Sequence, residues 1–465
     1  MDTESSVDEL LPATRRALLH RVAVAQAEGR TPSMVAAVVR DGQRVWTGAR
    51  SCVEGHAPDA DVQFRIGSIT KTFVAVLVLR LRDEGLLALT DPIGAHLPQQ
   101  GLGAAGHATI AQLLSHSAGL TSESPGPWWE RTPGELRPAL GDVLQQPPTR
   151  HPVGQVFHYS NVGFALLGAL VERLRGEPWA EVLRREVLEP LGMPRTTPLP
   201  QQPHAGGWAV HPYADVLLPE PLQETGQMAP AGQLWSTVAD LCRWAAFLAD
   251  GDDKVLRAES VRELRRPATG VADGEGYGLG LQLLQAHGFS YAGHTGSMPG
   301  FLAALWFVPE ERLAAVVVAN TTSGPIGGIA ADLVRITAEH EPRIPEPWRP
   351  LPAAEVDPEL LALTGYWYWG PSGYLLRLRA DRGMELTPVA GSRPGVVPLR
   401  PEADGSWTAL GGYWNGESLT VVRTGDGAVS HLDLGTFVLT RTPYPVGPAD
   451  GPVPGGVDPE GWRGL

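Results

Sequence analysis

Apolar residues recur at helical spacing in some stretches of the chain and at strand spacing in others. Residues 8–28 carry leucines and valines every three or four positions, which predicts a surface helix. Residues 33–40 and 43–47 are apolar runs on either side of Asp41-Gly42, a dipeptide typical of hairpin turns. The chain is therefore expected to begin with a helix and a β-hairpin.

A mostly helical middle section precedes a second group of strands. Helical patterns occupy 68–85, 109–114, 161–173, 179–188 and 236–249, strand patterns occupy 279–284, 289–292, 301–307 and 313–319, and a helix is predicted at 326–340. Strands at both ends with helices between them predict one antiparallel sheet built from both ends. We expect an α+β fold, with helices flanking the sheet and a helical subdomain inserted into it.

A Pro-rich segment separates this region from a second one. Short strands between residues 363 and 439 are broken by Asp-Gly and Asn-Gly pairs, which predicts a small all-β domain of barrel or sandwich type. Its tyrosines and tryptophans are expected in the barrel core rather than on a binding face. The predicted division is an α+β domain over 1–341, a linker over 342–354, the β domain over 355–443 and a disordered tail over 444–465.

Composition narrows the classes of function. The 465 residues are 43% hydrophobic and 19% charged, as in ordinary globular proteins, and the net charge of −14 argues against nucleic acid or an anionic membrane as partner. The two cysteines, Cys52 and Cys242, are expected to be buried, unpaired thiols. The first residues lack the pattern of a secretory signal, and no apolar run is long enough to span a membrane, so a cytoplasmic protein is expected.

The sequence Gly67-Ser68-Ile69-Thr70-Lys71 carries the first candidate chemistry. On a helix, Ser68 and Lys71 share a face, and a lysine whose pKa is lowered by burial can take a proton from a serine. The chain has only two lysines among 37 basic residues, and arginine cannot be deprotonated in a protein. By itself the motif also fits a helix cap followed by a surface lysine.

Two further motifs follow in order. Tyr159-Ser160-Asn161 precedes a strongly apolar helix, and His294-Thr295-Gly296 is predicted to lie between two strands. Alone, the first is often a capping turn and the second a tight turn. The long segment 201–230 and the loop at 128–131, with its paired tryptophans, are candidates for the border of a site.

Together, the three motifs resemble the serine β-lactamase and penicillin-binding-protein-like superfamily, in particular its class C-like branch. The segments 113–120, 230–237 and 277–281 also resemble recurrent parts of that family, and the resemblance covers about three quarters of the chain. It implies a β-lactamase/transpeptidase-like fold. The C-terminal domain resembles the lipocalin-like appendage of some members.

The resemblance implies a role for each motif residue. Ser68 would be the nucleophile, and Lys71 and Tyr159 would share the proton transfers, with a tyrosinate stabilised by the lysine's charge. Which of the two takes the serine proton stays open. Asn161 would bond Lys71 and the acyl-side amide of the substrate. The strand residues His294, Thr295, Gly296 and Ser297 would line the substrate site, and the backbone N–H groups of Ser68 and Ser297 would form the oxyanion hole.

The third motif departs from the lactamase form, because His294 stands where classical β-lactamases have a lysine. A histidine is mostly neutral at pH 7, so it attracts a β-lactam carboxylate poorly. We expect a serine hydrolase that acts through an acyl-enzyme on a small ester or amide, as an esterase or D-amino-acid peptidase rather than a β-lactamase. The alternatives are an acyltransferase and a non-catalytic binder. No metal and no cofactor is expected, and the sequence does not indicate an oligomeric state.

Overall fold

The computed structural model describes residues 10–97, 102–125, 137–144, 149–272, 274–345, 347–389 and 395–443. The chain divides into two compact units, Met1–Arg343 and Ile344–Leu465. The predicted tryptophan loop at 128–131 and the predicted tail at 444–465 lie outside the described residues. The four-part domain division stays a prediction.

The first unit contains twelve strand segments in its described part. They are β1 (Ser33–Arg40), β2 (Gln43–Ser51), β3 (Phe64–Arg65), β4 (Trp208–Val210), β5 (Leu217–Pro219), β6 (Trp235–Ser236), β7 (Thr269–Ala272), β8 (Glu275–Tyr277), β9 (Gln282–Ala286), β10 (Phe289–Met298), β11 (Phe301–Val308) and β12 (Leu313–Ala319). The main sheet is antiparallel, in the order β2-β1-β12-β11-β10-β9-β8-β7. Strand β1 pairs with β12, Met34 opposite Ala319, so the predicted sheet built from both ends is confirmed.

Helices pack on both faces of this sheet. They are α1 (Pro12–Glu28), α2 (Thr70–Asp83), α3 (Ile93–His96), α4 (Ile110–Leu114), α5 (Leu140–Val143), α6 (Asn161–Arg175), α7 (Trp179–Leu183), α8 (Ala229–Gly232), α9 (Val238–Asp250), α10 (Ala258–Leu264) and α11 (Ile326–His340). Alternate residues of β1 serve two cores: Val35 packs with α2, α6 and α9, and Met34 with α1 and α11. The expected α+β fold with an inserted helical section is confirmed.

Two predicted strands have different limits in the structure. Residues 279–281 are a turn rather than the start of a strand, because Gly280 has a φ of +79°. The predicted break at 294–296 is wrong, because β10 continues through His294-Thr295-Gly296. The glycine suggested a turn, but it lets the strand approach another segment closely: a Cβ on Gly296 would lie 1.9 Å from the carbonyl oxygen of Ile66.

Two further predictions were partly wrong: that residues 201–230 form a loop, and that both cysteines are buried. Residues 201–230 contain the β4–β5 hairpin, and not only irregular loop. Both cysteines are unpaired as expected, but Cys52 is exposed and only Cys242 is buried. In the part of the chain that is described, no helix is long and apolar enough to cross a membrane. The cytoplasmic location stays a prediction.

The second unit is a nearly closed antiparallel sheet, as expected of a barrel-like domain. Its strands follow each other in sequence order: β13 (Gly365–Trp369), β14 (Ser372–Leu378), β15 (Met384–Pro388), β16 (Val397–Pro401), β17 (Trp407–Ala409), β18 (Ser418–Arg423), β19 (Val429–Leu434) and β20 (Phe437–Leu439), preceded by α12 (Pro358–Leu363). A bridge between Tyr368 and Thr440 joins the first strand to the end of the last. Trp367 and Trp414 are buried in the core as predicted, whereas Tyr413 is 74% exposed.

Candidate active site

Ser68 lies in the 3₁₀ turn Gly67–Ile69, which leads directly into α2. Gly67 has a φ of +52°, and a Cβ on it would lie 2.5 Å from the backbone nitrogen of Ser297 in β10. Only glycine therefore lets the turn pack against that strand. The serine is held between the beginning of a buried helix and the middle of the sheet, two residues before α2 begins rather than in its first turn, where the sequence predicted it.

Lys71 is fully buried in α2, and its ammonium nitrogen lies 2.9 Å from Ser68 Oγ. The same nitrogen donates to the carbonyl oxygen of Ala231 in α8, at 2.7 Å. Burial lowers the pKa of Lys71 to about 7, against the opposing effect of the Glu123 carboxylate. Near neutral pH a large fraction of this lysine is therefore an uncharged amine beside the serine hydroxyl.

Tyr159 also contacts Ser68, through a hydrogen bond between the two side chains. The lysine nitrogen lies 4.9 Å from the centroid of the tyrosine ring. The sequence left open a tyrosinate stabilised by the charge of Lys71. Burial raises the pKa of Tyr159, as does the negative charge of Glu123, and its hydrogen bond to Ser68 opposes them only in part. The phenol is therefore protonated at neutral pH and can donate a proton.

Asn161 begins α6, which Ser160 caps by accepting a hydrogen bond from Gly163 N. Its predicted bond to Lys71 is not formed. Instead Asn161 Nδ2 donates to Glu123 Oε1, at 2.7 Å. Among the described residues, Asn161 Oδ1 has no hydrogen-bond partner although it is buried, so the site keeps a free acceptor.

His294 lies in β10 and is only 1% exposed. Its Nδ1 contacts the carbonyl oxygen of Thr295 and must carry the proton, so Nε2 accepts from the Tyr277 hydroxyl at 3.0 Å. Burial, and then the charge of Lys71, lower the pKa of His294 to about 3. The ring is therefore uncharged at neutral pH.

The backbone N–H groups predicted for the oxyanion hole lie on facing segments. A Cβ on Gly296 would lie 3.1 Å from Ser68 N, and a Cβ on Gly67 would lie 2.5 Å from Ser297 N. These two close approaches bring β10 directly against the serine turn. Ser297 is exposed and lines the same cleft as Ser68.

That cleft has a volume of about 530 Å³. Ser68, Tyr159, Thr295 and Ser297 line it on one side, and the first turn of α11 lines it on the other. Within the described ranges, no group of three His, Cys, Asp or Glu side chains is placed to hold a metal ion. One residue from each of the three motifs, Ser68, Tyr159 and His294, thus lines the same opening.

Sequence reasoning missed Glu123, Tyr277 and His116 as members of this site. The His116 ring lies 4.1 Å from the ring of Tyr159 and 4.6 Å from that of Tyr277, between centroids. Its Nδ1 accepts a hydrogen bond from Ser160 N. This bond connects the segment that contains Tyr159 to the residues that follow α4. The segments that carried the family resemblance contain His116 and Tyr277, but nothing in the local sequence marks Glu123.

Comparison with known proteins places the chain among the relatives that its motifs suggested. Residues 18–339 match the family described as "Beta-lactamase", and residues 356–441 match a domain of unknown function, DUF7586. Penicillin-binding protein 4 of Amycolatopsis lactamdurans is 29% identical over 332 residues, which cover 66% of this chain and 83% of that protein. The lipocalin-like character of the C-terminal domain stays a prediction.

Two further relatives show how far the similarity extends. Beta-lactamase-like protein 2 of Dictyostelium discoideum is 26% identical over 290 residues, 58% of this chain, and the chain spans only 52% of that protein. A D-stereospecific amidohydrolase from Streptomyces sp., whose structure is known, is 25% identical in sequence. The two structures superpose with a TM-score of 0.59 over 71% of this chain and 99% of the amidohydrolase chain. The family match, which includes more than half of the chain, confirms the resemblance. The chain therefore belongs to the beta-lactamase family and is a serine hydrolase.

Proposed function

We propose that the enzyme hydrolyses small amides or esters of D-amino acids with a free ammonium group, through an acyl-enzyme on Ser68. The observation that carries the proposal is the fully buried Lys71, whose nitrogen lies 2.9 Å from Ser68 Oγ and whose pKa is lowered to about 7. A general base works best when its pKa lies near the working pH. A lysine with only a structural role would not need this arrangement.

In the proposed reaction, Lys71 takes the Ser68 proton while Oγ attacks the substrate carbonyl. The N–H groups of Ser68 and Ser297 stabilise the oxyanion. Tyr159, protonated at neutral pH because its pKa is raised, supplies the proton that the leaving nitrogen or oxygen needs. Water then attacks the acyl carbon and gives a proton to the Tyr159 oxygen. The bond from that carbon to Ser68 Oγ breaks, Lys71 returns its proton to Oγ, and the acid is released.

A neutral His294 argues against a β-lactam or a carboxyl-terminal peptide as the main substrate. Both carry a carboxylate, for which a permanent cation is the natural partner. The pKa of His294 is lowered to about 3, so this ring supplies no charge at neutral pH. An amide or ester without a carboxylate fits the site better.

Glu123 supports an ammonium group on the acyl side of the substrate. Its carboxylate lies beside Asn161 and acts electrostatically on both Lys71 and Tyr159. A substrate ammonium between Glu123 and the free Oδ1 of Asn161 would find one charged and one neutral acceptor. The D configuration is proposed from the similarity to the D-stereospecific amidohydrolase.

Glu123→Gln is expected to lower kcat/KM for D-alaninamide at least about tenfold relative to propionamide, which lacks only the ammonium. Both amides share every other contact, so their ratio isolates the charge. The measurement is steady-state hydrolysis of both at about pH 7, where the substrate amine is protonated. Glu259→Gln, an exposed glutamate of α10, is the matched control and should leave the ratio unchanged. A ratio unaffected by Glu123→Gln would contradict ammonium recognition by this carboxylate.

Gly296→Ala is expected to lower the rate of acylation at least about a hundredfold, the effect of losing one oxyanion donor. The new Cβ would lie 1.9 Å from the Ile66 carbonyl oxygen, so β10 must move away from the Ser68 turn. Single-turnover release of p-nitrophenol from p-nitrophenyl acetate measures the step. In the control, Gly163→Ala, the added Cβ makes only ordinary contacts, with the nearest atom at 3.6 Å. If Gly296→Ala acylated at the wild-type rate, β10 would not supply the oxyanion hole.

A further inference from the structure

A second cleft, of about 640 Å³, adjoins the one at Ser68. The two share Tyr159, Gln282, Thr295, Gly327 and Gly328 in their walls. The remainder of the second cleft is largely apolar, with Phe157, Tyr277, Leu283 and Trp306 among its lining residues. Phe157 is 49% exposed, so part of its ring is accessible from the cleft. The size and lining suit a ring-sized organic group.

The walls of this second cleft carry little charge. Of its lining residues in the described part of the chain, Glu275 is the only charged one, and it is exposed at the edge. The first cleft adds no arginine or lysine to its lining. A group that enters from Ser68 would therefore meet apolar surface and the Gln282 amide, but no cation to pair with a carboxylate.

Two consecutive glycines keep one wall of the cleft open. Gly327 and Gly328 lie in the first turn of α11, and glycine favours a helix less than alanine does. A Cβ on Gly328 would meet no atom within 4 Å, so a side chain there would extend into open space. At Gly327 a Cβ would lie 3.1 Å from Thr295 Cγ2. Packing thus does not require glycine at 328, whereas an unobstructed cleft does.

The position of Tyr159 decides which part of a substrate this cleft receives. In the proposed function the acyl-side ammonium lies at Glu123, and Tyr159 gives a proton to the leaving atom. The second cleft shares Tyr159 and Thr295 with the first and is lined further on by residues of β8 and β9. The group attached to the leaving nitrogen or oxygen therefore points into it.

We propose that this cleft is a leaving-group subsite for a bulky, uncharged aromatic amine or alcohol, and that Gly328 keeps it open. The inference rests on the proposed function. In the acylation step the Ser68 Oγ–acyl bond forms and the bond from the acyl carbon to nitrogen or oxygen breaks. The leaving amine or alcohol takes its proton from Tyr159 and departs through the cleft.

Three substrates with one acyl group test the subsite: D-alaninamide, D-alanyl phenethylamide and D-alanyl-phenylalanine, which is the phenethylamide with an added carboxylate. All form the same acyl-enzyme, so differences in kcat/KM report steps up to acylation. In the wild type, kcat/KM for the phenethylamide should exceed that for each of the other two at least about tenfold. A wild-type preference for the carboxylate-bearing dipeptide would overturn the proposal.

Gly328→Leu should lower the phenethylamide-to-alaninamide ratio at least about tenfold, because the leucine fills the space of the ring. Gly328→Ala, the graded control, should change it less than about twofold, and Phe157→Ala, on another part of the wall, should lower it about threefold. The ratio cancels any change in folded fraction. Ratios unchanged in both Gly328→Leu and Phe157→Ala would overturn the subsite but leave the proposed function standing. If the wild type hydrolysed none of the three and formed no acyl-enzyme, both proposals would fail.

Discussion

Ser68→Ala is expected to lower kcat for any ester or amide substrate at least about a thousandfold, because the variant cannot form an acyl-enzyme. Ser68 Oγ is the atom held by both Lys71 and Tyr159 in the structure. The remaining groups could then only polarise the carbonyl for direct attack by water. The measurement is steady-state hydrolysis of p-nitrophenyl acetate and D-alaninamide by the wild type and the variant.

A matched control separates this loss from a general effect of removing a hydroxyl. Ser290 lies in β10 and is exposed, with its hydroxyl bonded to Gln285 at the edge of the strand. Ser290→Ala should therefore keep full activity. If Ser68→Ala retained more than about a tenth of the wild-type kcat, an acyl-enzyme mechanism at this serine would be wrong.

Lys71→Arg is expected to lower kcat/KM at least about a thousandfold, although it conserves the positive charge. An arginine stays protonated at every accessible pH and cannot take the serine proton. In the wild type, Lys71 must be neutral to act, and its pKa is lowered to about 7. With p-nitrophenyl acetate, which has no amine to titrate, the wild-type kcat/KM should therefore be low in acid, rise as pH increases through about 7, and level off above it.

Lys254→Arg is a natural control, because Lys254 is the only other lysine of the chain and is exposed. It should leave both kcat/KM and the pH profile unchanged. Because Lys71 is buried, thermal unfolding of Lys71→Arg should be compared with the wild type to show that the variant is folded. A folded Lys71→Arg with wild-type activity, or a wild-type profile flat between about pH 5 and 9, would exclude this lysine as the base.

The sheet was predictable where strands are continuous apolar runs between clear turn signals. Residues 33–40 and 313–319 agree with β1 and β12 in both limits. The prediction failed where a glycine fits two structures, a turn or a strand that packs closely against another segment. Gly296 allows a close approach inside a strand rather than a turn, and the sequence does not show that Ile66 lies against it.

The active site was predictable to the extent that its chemistry is local. Ser68 and Lys71 are three residues apart, so helical geometry alone brings them together. The protonation of Tyr159 was left open by the sequence, because the burial that raises its pKa is a property of the folded site. Glu123 was missed for the same reason, since its importance comes from contacts with residues distant in sequence.

The most direct test of the account is the intact mass of the protein after brief incubation with p-nitrophenyl acetate and, separately, with a fluorophosphonate. The wild type should gain the mass of one acetyl or one phosphonyl group, and peptide mapping should place the group on Ser68. Ser68→Ala should gain neither. No adduct on the wild type, or the same adduct on both proteins, would contradict an acyl-enzyme at Ser68.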